Sequence, residues 1–108
     1  MLAGAEGGRP SRFEVDELRN TLRALLPFLL TRYGVTSLSL FGSRARGDDR
    51  ADSDVDILVE FSTAPSLLRF LELEEFLSEA LHLRVDLVMR SALKPALGKR
   101  ILQEAVSV

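Results

Sequence analysis

The chain has 108 residues, of which 46% are hydrophobic and 28% charged, and its formal net charge is −2. That size and mix suit one small globular domain and lack the basic surface that general nucleic-acid binding needs. With no cysteine and a single histidine, disulfides, thiolate metal sites, a cysteine nucleophile and a multi-histidine zinc centre are excluded.

Met1 to Pro10 is rich in Gly and Ala, has little to bury, and reads as a mobile N-terminal tail ahead of a domain spanning residues 11–108. It lacks the basic-then-apolar order of a signal peptide, and no apolar run reaches the ~18 residues of a membrane span. A cytoplasmic protein is expected. Ser11 with Glu14 three residues on has the form of a helix-capping box. Val15, Leu18, Leu22, Leu25, Leu26 and Leu29 follow at helical spacing. Pro27 predicts a kink there, or a second short helix with Pro27 in its first turn. Gly34 ends the segment, and Tyr33 is expected to pack or to lie at the surface.

From Ser39 to Phe61 the pattern becomes strand, turn, charged arm and strand. Leu38 and Leu40 alternate with Ser37, Ser39 and Phe41, the period of a half-buried strand. Gly42-Ser43 ends it. Glycine permits positive φ and close approach of another group. If Ser43 to Arg46 starts a helical turn, its free N–H groups attract anions. Arg44 and Arg46 would then offset phosphate charge with forked contacts. Asp54-Val55-Asp56 opens the second strand, followed by Ile57, Leu58, Val59 and Phe61. Residues two apart on a strand share a face, about 6.6 Å from each other. Two carboxylates so placed repel, and a hard divalent cation such as Mg²⁺ relieves them while keeping sites for water and phosphate. Two such ions about 3.5–4 Å apart can clamp the attacking and leaving oxygens of a phosphoryl displacement. The pair therefore points to metal-assisted chemistry on a phosphate ester. Asp48, Asp49, Arg50, Asp52 and Glu60 read as solvated surface.

Ser62 to Pro65 predicts a turn with Pro65 in the first turn of the next helix. Leu67, Phe70, Leu73, Phe76, Leu77, Ala80 and Leu81 give that helix one broad apolar face, with Leu68 and Leu71 off it. His82 reads as a helix-end residue near the last carbonyls rather than a general base. Leu83 to Met89 is a third strand, in which Asp86 needs a metal, an arginine or water as partner. Beside the second strand it can face Asp54 and Asp56; at a sheet edge it would pair with an arginine. Ala92 to Val108 is a turn and final helix opening at Lys94-Pro95, most of it expected to pack on the sheet. Together these elements predict an α/β fold, a small mixed sheet of three strands or slightly more with helices packed on one face.

Gly42-Ser43, ten residues, then Asp54-Val55-Asp56 resembles the signature of the DNA polymerase β nucleotidyltransferase superfamily. The longer string from Leu40 to Gly47 and from Ser53 to Asp56 is similar to its minimal nucleotidyltransferase (MNT) branch, many members of which are antitoxins paired with HEPN-type ribonuclease toxins. The likeness runs from about Leu18 to Val108, since Val85 to Val88 and Leu93-Lys94-Pro95 also fit. It implies a nucleotidyltransferase-like fold. It also implies Mg²⁺ held by Asp54 and Asp56, with Asp86 as third acid and proton acceptor. Gly42 and Ser43 would seat the phosphates of ATP, with Arg44 and Arg46 beside them. AMP would pass to a hydroxyl, a tyrosine of a cognate HEPN toxin, in an assembly with that partner. Two other readings predict different outcomes: an antitoxin that blocks its toxin by contact alone, and a nucleotidyltransferase acting on a small molecule.

Overall fold

The computed structural model describes residues 12–42 and 54–108. In chain order these form α1 (Arg12–Tyr33), β1 (Val35–Phe41), β2 (Val55–Phe61), α2 (Leu67–Leu81), β3 (Val85–Met89), a 3-10 turn (Arg90–Ala92), α3 (Pro95–Glu104) and β4 (Val106–Ser107). The N-terminal tail and the Ser11 cap lie outside the described residues.

In α1, Val15, Leu18, Leu22 and Leu29 are buried, as the spacing predicts. No second helix starts at Pro27: one helix runs from Arg12 to Tyr33 with Pro27 inside it. Pro27 and Arg23, whose carbonyl loses its helical partner, both sit on the exposed side, so the orphaned carbonyl lies toward solvent. Gly34, at φ +77°, ends the helix by donating its N–H to the Leu30 carbonyl at 3.0 Å. Tyr33 is buried, its ring meeting Phe28 edge-on and tilted against Phe76.

The strands form one mixed sheet in the order β3-β2-β1-β4. β1 pairs antiparallel with β2 and with β4, whereas β2 and β3 run parallel, joined by α2 as the crossover. The fourth strand was not in the sequence reading, which carried the last helix to the end. Instead Val106 and Ser107 pair with Leu40 and Ser39, and the Val108 N–H donates to the Leu38 carbonyl at 3.0 Å. A bulge between Val35 and Ser37 shifts the parity of β1, so that Val35, Leu38 and Leu40 all face the core.

That core joins Leu22 and Leu29 of α1 and Leu73 and Leu77 of α2 to Val55, Ile57, Val59, Val85 and Leu87 of the sheet. Burying each such leucine contributes about 2–3 kcal/mol. The same burial fixes the strand register, because a slip of one residue would drive Asp56 and Asp86 into the core. α3 approaches β1 but adds nothing to this core; of its residues only Gly98 is buried, and Leu97 and Leu102 stay exposed. Most of α3 was expected to pack on the sheet. Among the described residues no helix is long and apolar enough to cross a membrane.

α2 starts at Leu67, so Pro65 lies just before the helix rather than in its first turn. Ser66 is its cap, its hydroxyl accepting the Arg69 N–H at 3.2 Å. The buried face opens only at Leu73, which leaves Leu67 at 73% exposure together with Leu68 and Leu71. At the other end His82 adopts the left-handed conformation, φ 57°, while the Leu83 N–H donates to the Ser78 carbonyl at 3.2 Å. Its backbone rather than its ring meets the last carbonyls. A β-carbon in that conformation costs roughly 1 kcal/mol, which glycine avoids. His82→Gly is therefore expected to raise the urea midpoint at unchanged m-value, by about 1 kcal/mol in stability.

Candidate active site

The face of the sheet opposite the α1/α2 core carries the candidate residues Asp56 and Asp86. Its side chains fall into rows set by the ladder. Phe41, Asp56 and Asp86 occupy one row, and Ser39, Leu58 and Val88 the next. Because β2 and β3 are parallel and in direct register, Asp86 stands immediately beside Asp56. Asp54 precedes β2 by one residue and is exposed. The neighbouring of β2 and β3 on which the sequence reading depended is thus present.

Asp56 is half-buried, and its carboxyl is held above the usual carboxylate range. Partial burial is the largest cause, followed by the charges of Asp86 and Asp54 and a hydrogen bond shared with Asp86. Two of the three aspartates are therefore in contact, and the third acts on Asp56 through space. Among the described residues no three acidic, histidine or cysteine side chains close on one metal-sized point. The pair nonetheless fits a hard cation: its donors are all carboxylate oxygens, and its repulsion is the kind a divalent ion removes.

Gly42 lies against this pair. It has φ +78°, and a β-carbon there would overlap the Asp56 carboxylate. A close approach at Gly42 is expected from the glycine itself, with phosphate as the visitor that the family likeness implies; in the structure the Asp56 carboxylate makes that approach. Ser43, Arg44 and Arg46 lie outside the described residues, as do Asp48 and Asp49.

Asp86 is steadied from both sides. The Val85 N–H donates to Ser78 Oγ at 3.1 Å, and the Leu87 N–H donates to Glu74 Oε2 at 3.0 Å. Two side chains of α2, one turn apart, thus take the outward N–H groups flanking Asp86 on the outer strand of the described sheet.

Glu60 was read as plain surface, although it shares the parity of Asp56. It accepts hydrogen bonds from Ser37 Oγ at 2.7 Å and from Arg90 Nη1 at 2.9 Å. The Ser37 hydroxyl first, and then Arg90, hold its carboxyl below the ordinary range. It is therefore a balanced charge rather than an extension of the acidic pair. Strand alternation could have linked Ser37 to Glu60, but Arg90 became visible only with the parallel register of β3.

Comparison with known proteins follows the same lines. Residues 22–108 match the family described as nucleotidyltransferase domain. The protein adenylyltransferase MntA of Thermococcus cleftensis is 50% identical over 94 residues, covering 87% of this chain and 95% of that protein. A solved minimal nucleotidyltransferase superposes with a TM-score of 0.74 at 39% identity, over 86% of this chain and 94% of the other. A chain of a toxin–antitoxin crystal structure with AMP-PNP superposes with a TM-score of 0.69 at 26% identity, over 82% and 70%.

Proposed function

The chain belongs to the nucleotidyltransferase domain family, and from that premise we propose that it transfers AMP from ATP to a protein hydroxyl, a tyrosine of a HEPN-type toxin, and so acts as an antitoxin. The observation that carries this is the Asp56–Asp86 pair in direct parallel register against Gly42. The relative named as a protein adenylyltransferase and the toxin–antitoxin structure with a nucleotide analogue support the same reading.

In this mechanism Asp54, Asp56 and Asp86 would hold Mg²⁺, which when bound supplies the positive charge that offsets the triphosphate. Gly42 keeps the backbone low beside Asp56, leaving room for the phosphates, and Ser43, Arg44 and Arg46 contribute donors to them. Asp86 takes the proton of the acceptor hydroxyl. The acceptor oxygen bonds to the α-phosphorus as the bond to the bridging oxygen of the β-phosphate breaks, and pyrophosphate leaves in line. Ser78 and Glu74 hold the strand of Asp86 rigid during this step.

Incubating a HEPN-type toxin with this chain, ATP and Mg²⁺ is expected to raise the toxin's intact mass by one or more AMP units. An unchanged mass with tight complex formation would instead favour inhibition by contact.

A further inference from the structure

Beside β3 lies an apolar groove of about 490 Å³, lined in part by Leu67, Phe70, Val88 and Met89. It follows the outer edge of the described sheet. The Val55 N–H donates to the Arg84 carbonyl, so the even-numbered residues of β3 turn their backbone groups to β2 and the odd-numbered ones turn theirs outward. The outward N–H groups of Val85 and Leu87 are taken by Ser78 and Glu74. Among the described residues, the outward N–H of Met89 has no partner, nor has the Leu87 carbonyl next to it along the edge. An added strand needs a row of donors, which is not left here. One donor beside one acceptor, with apolar walls around them, suits a flat heteroaromatic ring instead.

Resting on the AMP transfer proposed above, we infer that this groove seats the adenine ring of the substrate nucleotide. The Leu87 carbonyl accepts the N6 amine, and the Met89 N–H donates to a neighbouring ring nitrogen. In an in-line displacement the attacking and leaving oxygens lie on one axis through the α-phosphorus, and the oxygen bearing the ribose stands at right angles to it. With pyrophosphate on the Gly42 side and the acceptor hydroxyl at Asp86, that axis crosses the strands, so the nucleoside runs along them. Leu58 on β2 is only 4% exposed, whereas Asp86 is exposed and Val88 half-buried, so the open course follows β3. Met89 lies three residues past Asp86, about 10 Å along the strand, a span that an extended nucleoside covers. Adenine presents an amine donor beside a ring acceptor, while guanine carries an acceptor oxygen in place of the amine. The phosphate tether fixes how the ring enters, so guanine would set its O6 against the Leu87 carbonyl.

The test measures the Kd of ATP, ITP and GTP with Mg²⁺ for wild type, Met89→Pro and Met89→Leu, and follows AMP transfer to a HEPN-type toxin in parallel. Proline removes the N–H, and the φ of −78° at Met89 is one that its ring accepts, at a sheet edge where the lost donor has no ladder partner. Leucine keeps the N–H and changes the side chain at similar volume. Wild type is expected to hold ATP about tenfold or more tighter than ITP and GTP. Met89→Pro should lose most of that preference by weakening ATP alone, and Met89→Leu should keep it. Equal binding of the three nucleotides by wild type overturns the adenine seat, and this arm needs no variant. A folded Met89→Pro that keeps the full preference for ATP also overturns it, as does adenosine that binds beside ATP without competing. A preference that depends on the Met89 N–H, with no AMP transfer, keeps the seat and removes the catalytic reading. AMP transfer without a base preference does the reverse.

Discussion

Asp56→Asn is expected to lower AMP transfer by about 10³-fold, some 4 kcal/mol in the barrier, while the folded protein becomes more stable without metal. The two effects have one origin. Asp56 is pressed into a half-buried place beside Asp86 and near Asp54, and it keeps its proton to higher pH than a free carboxyl with its ordinary value of 3.8. A group whose pKa is raised on folding stabilises the fold fully below the unfolded value, and that contribution drains away as pH rises through the folded value. In metal-free buffer the wild-type melting temperature should therefore fall more steeply than that of Asp56→Asn as pH climbs from about 4. Mg²⁺ should reverse the trend, because binding it displaces the retained proton; its stabilisation should grow with pH. Thermal melts across pH with and without Mg²⁺, beside transfer assays at saturating ATP, check both halves. Transfer that survives in Asp56→Asn would remove the carboxylate pair from the mechanism.

Gly42→Ala is expected to be the most damaging change outside the carboxylates. The left-handed backbone at φ +78° costs an alanine about 1–2 kcal/mol. The new methyl group would also overlap the Asp56 carboxylate, so that side chain must swing away. Transfer should fall by about 10²-fold or more, since small misplacements at a reacting centre are that costly. A double-mutant cycle separates the two causes. In an Asp56→Ala background the overlap is gone, and Gly42→Ala should then cost only the backbone part of its stability loss. Full additivity of the two substitutions in urea melts would show that Gly42 and Asp56 do not press on each other.

The parts of this molecule that follow from local periodicity could be read before any coordinates. The alternation of Leu38 and Leu40 placed β1, the repeat from Val15 to Leu29 placed α1, and Asp54-Val55-Asp56 singled out the start of β2. What escaped depended on contacts distant in sequence. Val106 and Ser107 continue a helical pattern on paper, and only the open edge of β1 makes them a strand. Leu67 belongs to the apolar repeat of α2, yet the first buried residue of that helix is Leu73, nearly two turns later. Pro27 breaks a helix when its lost partner is buried, and here that partner faces outward. Glu60 and Arg90 meet because β2 and β3 are parallel and in register, which no short window of sequence encodes. The pairing of Asp56 with Asp86 has the same distant origin, and it entered the reading through likeness to a family rather than through spacing.

The crossover from β2 through α2 to β3 has a consequence for how the protein matures. Asp56 and Asp86 are separated by a whole helix in the chain, so neither can sense the other until that loop has closed, and parallel pairing with such separation is a late event in folding. A chain that has made only the β1–β2 hairpin holds Asp56 beside Gly42 with no second acid opposite. Competence for chemistry would then arrive together with the last long-range closure, and nascent or partly melted molecules would stay inert even with nucleotide in reach.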